Sequence, residues 1–137
     1  MTKNTTPAVA MDYAQQLPPS VHSWILTIIL DLGGHREFIH KDFFSDDQLA
    51  TTLSLDKWIN HKPPLNRADI LKTLREQSTE LQENPALLAE PYNADLRHNL
   101  DNLKTLIDLS DVECALLEFT LITYNETQLN NALDLLG

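Results

Sequence analysis

The sequence predicts an all-α protein, a compact helical bundle of about six helices with a disordered N-terminal tail. Three observations predict it. Apolar residues recur in steps of three and four along several long segments, the period that puts them on one face of a helix. A capping residue followed three positions later by Glu or Gln appears at Ser45/Gln48, Ser110/Glu113 and Asn125/Gln128, which is how helices announce their starts. Strand-like alternation is almost absent, so the layers must be helix on helix. The chain has 137 residues, 42% hydrophobic and 22% charged. That fits one ordinary globular domain, long enough to bury roughly two thirds of its unfolded surface.

Taken in order, residues 1–17 are polar, small and aperiodic and read as a flexible tail; residues 18–137 form the single helical domain. Pro18-Pro19-Ser20 opens the first helix, with proline tolerated in a first turn and Ser20 available as a cap. Val21, Trp24, Ile25, Ile28, Ile29 and Leu32 make a stripe that Leu26 and Leu30 widen almost all round, the mark of a buried helix. Gly33-Gly34 ends it by permitting positive φ. The link "HREFIHKDFF" is irregular, with room for a short strand. Ser45 then caps a helix with Leu49 and Leu53 inward and Asp46 and Asp47 in its first turn, where the dipole favours negative charge. "DKWIN" reads as one short turn anchored by Trp58 and Ile59, and "HKPPLN" breaks the chain.

Asn66 caps a third long helix whose thin stripe of Ile70 or Leu71, Leu74, Gln77 or Ser78, and Leu81 leaves it mostly exposed. Asn93 starts a fourth, with Leu96, Leu100, Leu103 and Leu106 or Ile107 on one side. The helix opened by Ser110 holds Val112, Ala115, Leu116, Leu117, Phe119, Leu121, Ile122 and Tyr124. It is apolar all round, so it is expected to be the central buried helix. The last helix begins at Asn125 with Leu129, Ala132, Leu133 and Leu136 inward, and Gly137 stands where a C′ glycine belongs.

Charge narrows the partners. Twenty Asp and Glu against ten Lys and Arg leave a net charge of −10, which argues against nucleic acid, whose phosphates select basic surfaces. No Lys or Arg follows Lys104, while Asp108, Asp111, Glu113, Glu118, Glu126 and Asp134 all lie beyond it. A one-signed segment either faces solvent or meets a protein partner with a basic surface. The most hydrophobic run, "WILTIIL", is too short to span a bilayer. The absence of a signal-peptide pattern and the single Cys114 place the chain in a reducing cytoplasm by expectation.

No motif names a reaction. His35 and His40, with Glu37 and Asp42, are the nearest approach to a ligand cluster, but the spacing is not that of a metal site. Cys114 lies in an apolar pattern beside Glu113 and Glu118 and reads as a small core residue. No glycine-rich phosphate loop, nucleophile elbow or outstanding carboxylate pair is present, so no catalytic, cofactor-binding or metal residue is assigned. "DDQLATTLSLDKW" opens like a helix-turn-helix, but no basic recognition helix follows. The large aromatics ordinarily belong to a core. Any of Phe43, Phe44 and Trp58 left exposed forms an interaction patch. The candidate interaction surface therefore comprises Phe43, Phe44 and Trp58 with Glu118, Glu126 and Leu133 from the acidic last third.

The stretch "NLDNLKTLIDLSDVECALLEFTLITYNETQLNNALDLLG", residues 99–137, resembles a segment of a group of bacterial AAA-family ATPases. There a helical N-terminal region ends in N-L-x-x-L-x-x-L-x-x-L-S-x-x-E-x-x-L-L-E-F, then L-x-x-A-x-x-x-L-G. Asn99, Leu100, Ser110, Glu113, the "LLEF" at 116–119, Leu129 and Gly137 carry the likeness. The resemblance implies that Gly137 is a cut point before an ATPase core. This segment would then be a non-catalytic domain that recruits a substrate or partner. ATP and Mg²⁺ would be bound downstream, where homo-oligomers would form. On that expectation, leucines of the last helix stand exposed where the next domain would cover them. The rival reading is a free-standing acidic adaptor or inhibitor of the immunity or antitoxin kind, whose charge meets a basic partner.

Overall fold

A computed structural model describes residues 17–60 and 62–137; the tail assigned to residues 1–17 lies outside them but for Leu17, as does His61. The described residues form an all-α bundle. Its helices are α1 (Pro19–Leu30), α2 (His35–Phe38), α3 (Asp47–Thr52), α4 (Asp56–Ile59), α5 (Arg67–Gln82), α6 (Pro85–Ala89), α7 (Ala94–Ile107), α8 (Asp111–Asn125) and α9 (Thr127–Asp134). The irregular link resolves into the single turn of α2 and one antiparallel bridge, Ile39 with Phe44.

The centre of the bundle is α1. Val21, Ile25, Leu26, Ile28 and Ile29 are buried on it, and α2, α5, α6 and α9 all lie against it. Phe38, Ile39, Phe44, Leu49, Leu53, Leu55, Ile70, Leu74, Ile122 and Leu129 complete the core. The helix expected to be central, α8, is instead at the edge. Only Ile122 of its fifteen residues is buried, because among the described helices only α7 and α9 run alongside it. An apolar helix is buried only if other elements arrive on all its sides, and four of them arrive at α1.

Several boundaries move for local reasons. Pro19 stands at the first helical position of α1 and Pro18 at the cap. Proline carries no N–H there, so one donor fewer needs a cap, and Ser20 lies inside the helix. Asp46, not Ser45, caps α3 by accepting from Leu49 N at 3.0 Å. Ser45 N–H is already committed to Phe38 O. The start expected at Asn125 is not a capping box either: α8 runs through Asn125, and Glu126 is its last cap and the first of α9. Gln128, cast as the reciprocal partner of that box, keeps a buried side-chain oxygen without a hydrogen bond among the described residues.

A half-buried polar chain ties α1 to α5 and the end of α3. Gln77 on α5 donates its amide nitrogen to Leu53 O at 2.8 Å, and its amide oxygen lies 2.8 Å from His22 Nε2 on α1. An oxygen can only accept, so Nε2 carries the ring hydrogen. Burial holds the His22 pKa below its ordinary value of 6.5, against the opposing influence of Gln77 and Glu80. The unfolded chain therefore takes up a proton that folded His22 resists. The contribution to stability is present above pH 6.5 and is lost as the pH falls through the lowered folded value. Urea midpoints are expected to drop between about pH 7 and about pH 5, and His22→Gln to flatten part of that slope.

Candidate interaction surface

The helices α7 and α8 form an antiparallel hairpin whose turn is built from its own sequence. Asn93 caps α7 by accepting from Leu96 N. Asp108 ends it in the left-handed region, φ 57°, a conformation that Asp tolerates better than most residues. Ser110 then opens α8 with the full capping box expected of it. Its hydroxyl accepts from Glu113 N at 3.1 Å, and Glu113 Oε1 accepts from Ser110 N at 2.8 Å. That hydrogen bond from the Ser110 backbone, with the serine hydroxyl second, holds the Glu113 carboxyl below its usual value. Ser110→Ala is expected to cost about 1 kcal/mol, read as a lower denaturant midpoint.

Two ion pairs fasten the hairpin. Arg97 on α7 grips Glu118 on α8 with two hydrogen bonds, Nε to Oε2 at 2.8 Å and Nη2 to Oε1 at 3.0 Å. Lys104 pairs with Asp111 across the turn. Leu100 is buried and Leu96 and Leu103 are half-buried on the inner side of α7. Among the described residues no helix besides α8 lies alongside α7, and none of them covers the outer sides of the hairpin. There the exposed apolar side chains collect: Leu106 at 81%, Ile107 at 55%, Val112 at 68%, Leu116 at 62% and Tyr124 at 91%.

On α8 these residues share one side. Val112, Leu116, Thr120 and Tyr124 follow in steps of four, which stack along a helix face. Beside that row runs a groove of about 490 Å³, lined by Phe119, Thr120, Thr123, Tyr124, Asn130 and Leu133. Its far wall belongs to α9. Phe119 forms the groove floor and reaches the core, meeting Trp24 edge-on at 4.9 Å.

The six residues singled out in the sequence do not form one patch. Phe44 is buried against Phe38, ring centroids 5.2 Å apart, and Trp58 is buried with Lys57 Nζ 4.4 Å over its ring. Both are core residues, because the Ile39–Phe44 bridge and the α4 turn aim them inward, and they leave the candidate surface. Phe43 stays exposed, stacked at 4.8 Å on His40. Glu118 is engaged with Arg97, and Glu126 accepts from Tyr92 Oη at 2.7 Å. Leu133 alone of the six joins the α8 face. The apolar spacing assigns Leu106, Ile107, Val112, Leu116 and Tyr124 to the interior, and all five are exposed. One signal was available: the stripe on α7 covers a single side of α8, and the short 108–110 connection offers nothing for the other.

His35 Nδ1 accepts from Arg67 Nη2 at 2.7 Å, and Arg67 Nη1 donates to Ile39 O at 2.6 Å. Burial first, then Arg67, lowers the His35 pKa, and its ring lone pair is occupied. Cys114 is half-buried rather than in the core, since α8 is an edge helix. Among the described residues no group of three or more His, Cys, Asp or Glu is placed to hold a metal ion, and no helix is long and apolar enough to cross a membrane. In the last helix Leu129 is buried, Leu133 and Leu135 are half-buried and Leu136 is exposed. No protein-family model, curated protein or solved structure matches the chain.

Proposed function

We propose that this chain is a non-catalytic protein-docking domain that recruits a partner or substrate to an AAA-type ATPase in the cytoplasm. One observation carries the docking role: five large apolar side chains stand exposed on a single hairpin whose helices are linked by two ion pairs. Isolated exposed leucines are ordinary, but a row along one helix beside a groove is how helix-docking surfaces are built. The ATPase context rests on the resemblance of residues 99–137, which span most of α7 and all of α8 and α9, the helices that carry the surface. On this reading ATP, Mg²⁺ and assembly into a homo-oligomer belong to a downstream module.

The acid surplus of the hairpin favours a second reading, a free-standing acidic adaptor or inhibitor using the same face. The DNA beyond the Gly137 codon separates the two. Continuation into G-x-x-x-x-G-K-[ST] supports the ATPase setting, and an immediate stop codon removes it. The docking role itself is tested with Leu116→Asp in the full reading frame. Proteins cross-linked to the wild type in cells are expected to be lost from the variant, with the far-UV circular dichroism unchanged. Retention of the same partners would place docking elsewhere.

A further inference from the structure

We propose that the occupant of the outer α8 face is an amphipathic helix of a partner protein, carrying an apolar stripe flanked by Lys and Arg; this rests on the docking role proposed above. The length of the surface sets the size of the ligand. Val112 to Tyr124 is about 18 Å of helix at 1.5 Å per residue. A partner helix of three to four turns covers it, with apolar residues in steps of three and four meeting Val112, Leu116 and the groove between Tyr124 and Leu133.

Charge decides between occupants. In residues 94–137 the Lys and Arg residues are Arg97 and Lys104, and both are already paired, with Glu118 and Asp111. The hairpin itself therefore offers an acidic ligand no unpaired Lys or Arg. Asp108 and Glu113, beside Ile107 and Val112, are exposed, and among the described residues neither has a cationic partner in an ion pair. Ser110 also holds Glu113 towards its charged form. A second copy of the chain would set these carboxylates against their own kind, and like charges brought together at an interface oppose binding. A basic helix satisfies both the apolar row and its acidic end.

The test uses a synthetic peptide of about 14 residues, with leucines at helical spacing and lysines flanking them. A twin peptide has glutamate in place of lysine. Amide resonances of ¹⁵N-labelled protein are followed during titration. The lysine peptide is expected to shift Val112–Tyr124 and Leu133 and to bind at least about tenfold more tightly than its glutamate twin. Its affinity is expected to fall by about tenfold between low and high salt, and D108N/E113Q to weaken it. Both substitutions keep the turn, since Asn tolerates the left-handed region and Gln serves in a capping box. Equal binding of the two peptides at this face overturns the charge selection and leaves the docking role standing. Shifts confined to other helices with either peptide overturn both. Concentration-dependent dimerisation that Leu116→Asp abolishes overturns the proposal in favour of a second copy.

Discussion

Ile25→Ala is expected to cost about 3–4 kcal/mol of folding free energy, and Leu116→Ala less than about 1 kcal/mol. Both remove large aliphatic side chains from helices that look alike in sequence. Ile25 is fully buried at the centre of α1, where deleting methyl groups loses their transfer energy and leaves a cavity that close-packed neighbours cannot fill. Leu116 faces solvent, so its removal empties nothing. A domain of this size has only about 5–15 kcal/mol of stability in total, so the first variant would shift a guanidinium midpoint strongly and the second barely. Trp24 and Trp58 fluorescence, with far-UV circular dichroism, reads both. Similar losses for the two variants would mean that the α8 face is covered, and the docking surface would have to be abandoned.

That contrast also shows where the sequence stops speaking. The helices themselves were legible, because period and capping are local. Asn66, Asn93 and Ser110 each accept from the backbone N–H three residues on, as their spacing foretold. The ranking of α1 and α8 was not legible. Each is apolar nearly all round, and burial depends on which other helices arrive, a long-range choice that leaves no mark in either segment. Ser45 and Asn125 failed as caps for a related reason. A hydrogen bond to Phe38 O claimed the backbone of one, and a single-residue connection kept the other inside α8. Phe44 and Trp58 could not be told from Phe43 by type; only the path of the 39–44 segment and the α4 turn separates inward from outward. The acidity of the segment beyond Lys104 is visible in the sequence, but which acids stay unpaired needed the ion pairs, which engage both Arg97 and Lys104.

The second large effect is expected at Gly34, where alanine should cost about 2–3 kcal/mol. The expected role of Gly33-Gly34 was conformational, and Gly33 fulfils it with φ +86°. Gly34 does not: its φ of −60° and ψ of −22° suit any residue. Its constraint is space. A Cβ there would stand 2.8 Å from Ile28 O and 3.3 Å from both Ile28 C and Ile29 Cα. All three are backbone atoms at the end of the central helix, and Gly34 N–H donates to that same Ile28 oxygen at 2.9 Å. Making room means lifting α2 away from α1, which disturbs Phe38 in the core. The usual gain of about 0.4–1 kcal/mol from replacing glycine in the unfolded chain offsets only part of this. At Gly33 the nearest atoms to a Cβ are the mobile end of Arg36, 3.8 Å away, so alanine there meets only the left-handed penalty of about 1–2 kcal/mol. Denaturant midpoints for the two variants should therefore order Gly34→Ala below Gly33→Ala, the reverse of what dihedral angles alone would give. Gly33→Asn should recover part of its loss, since Asn tolerates positive φ, whereas Gly34→Asn should be worse than Gly34→Ala because the added atoms enter the same closed space between α1 and α2.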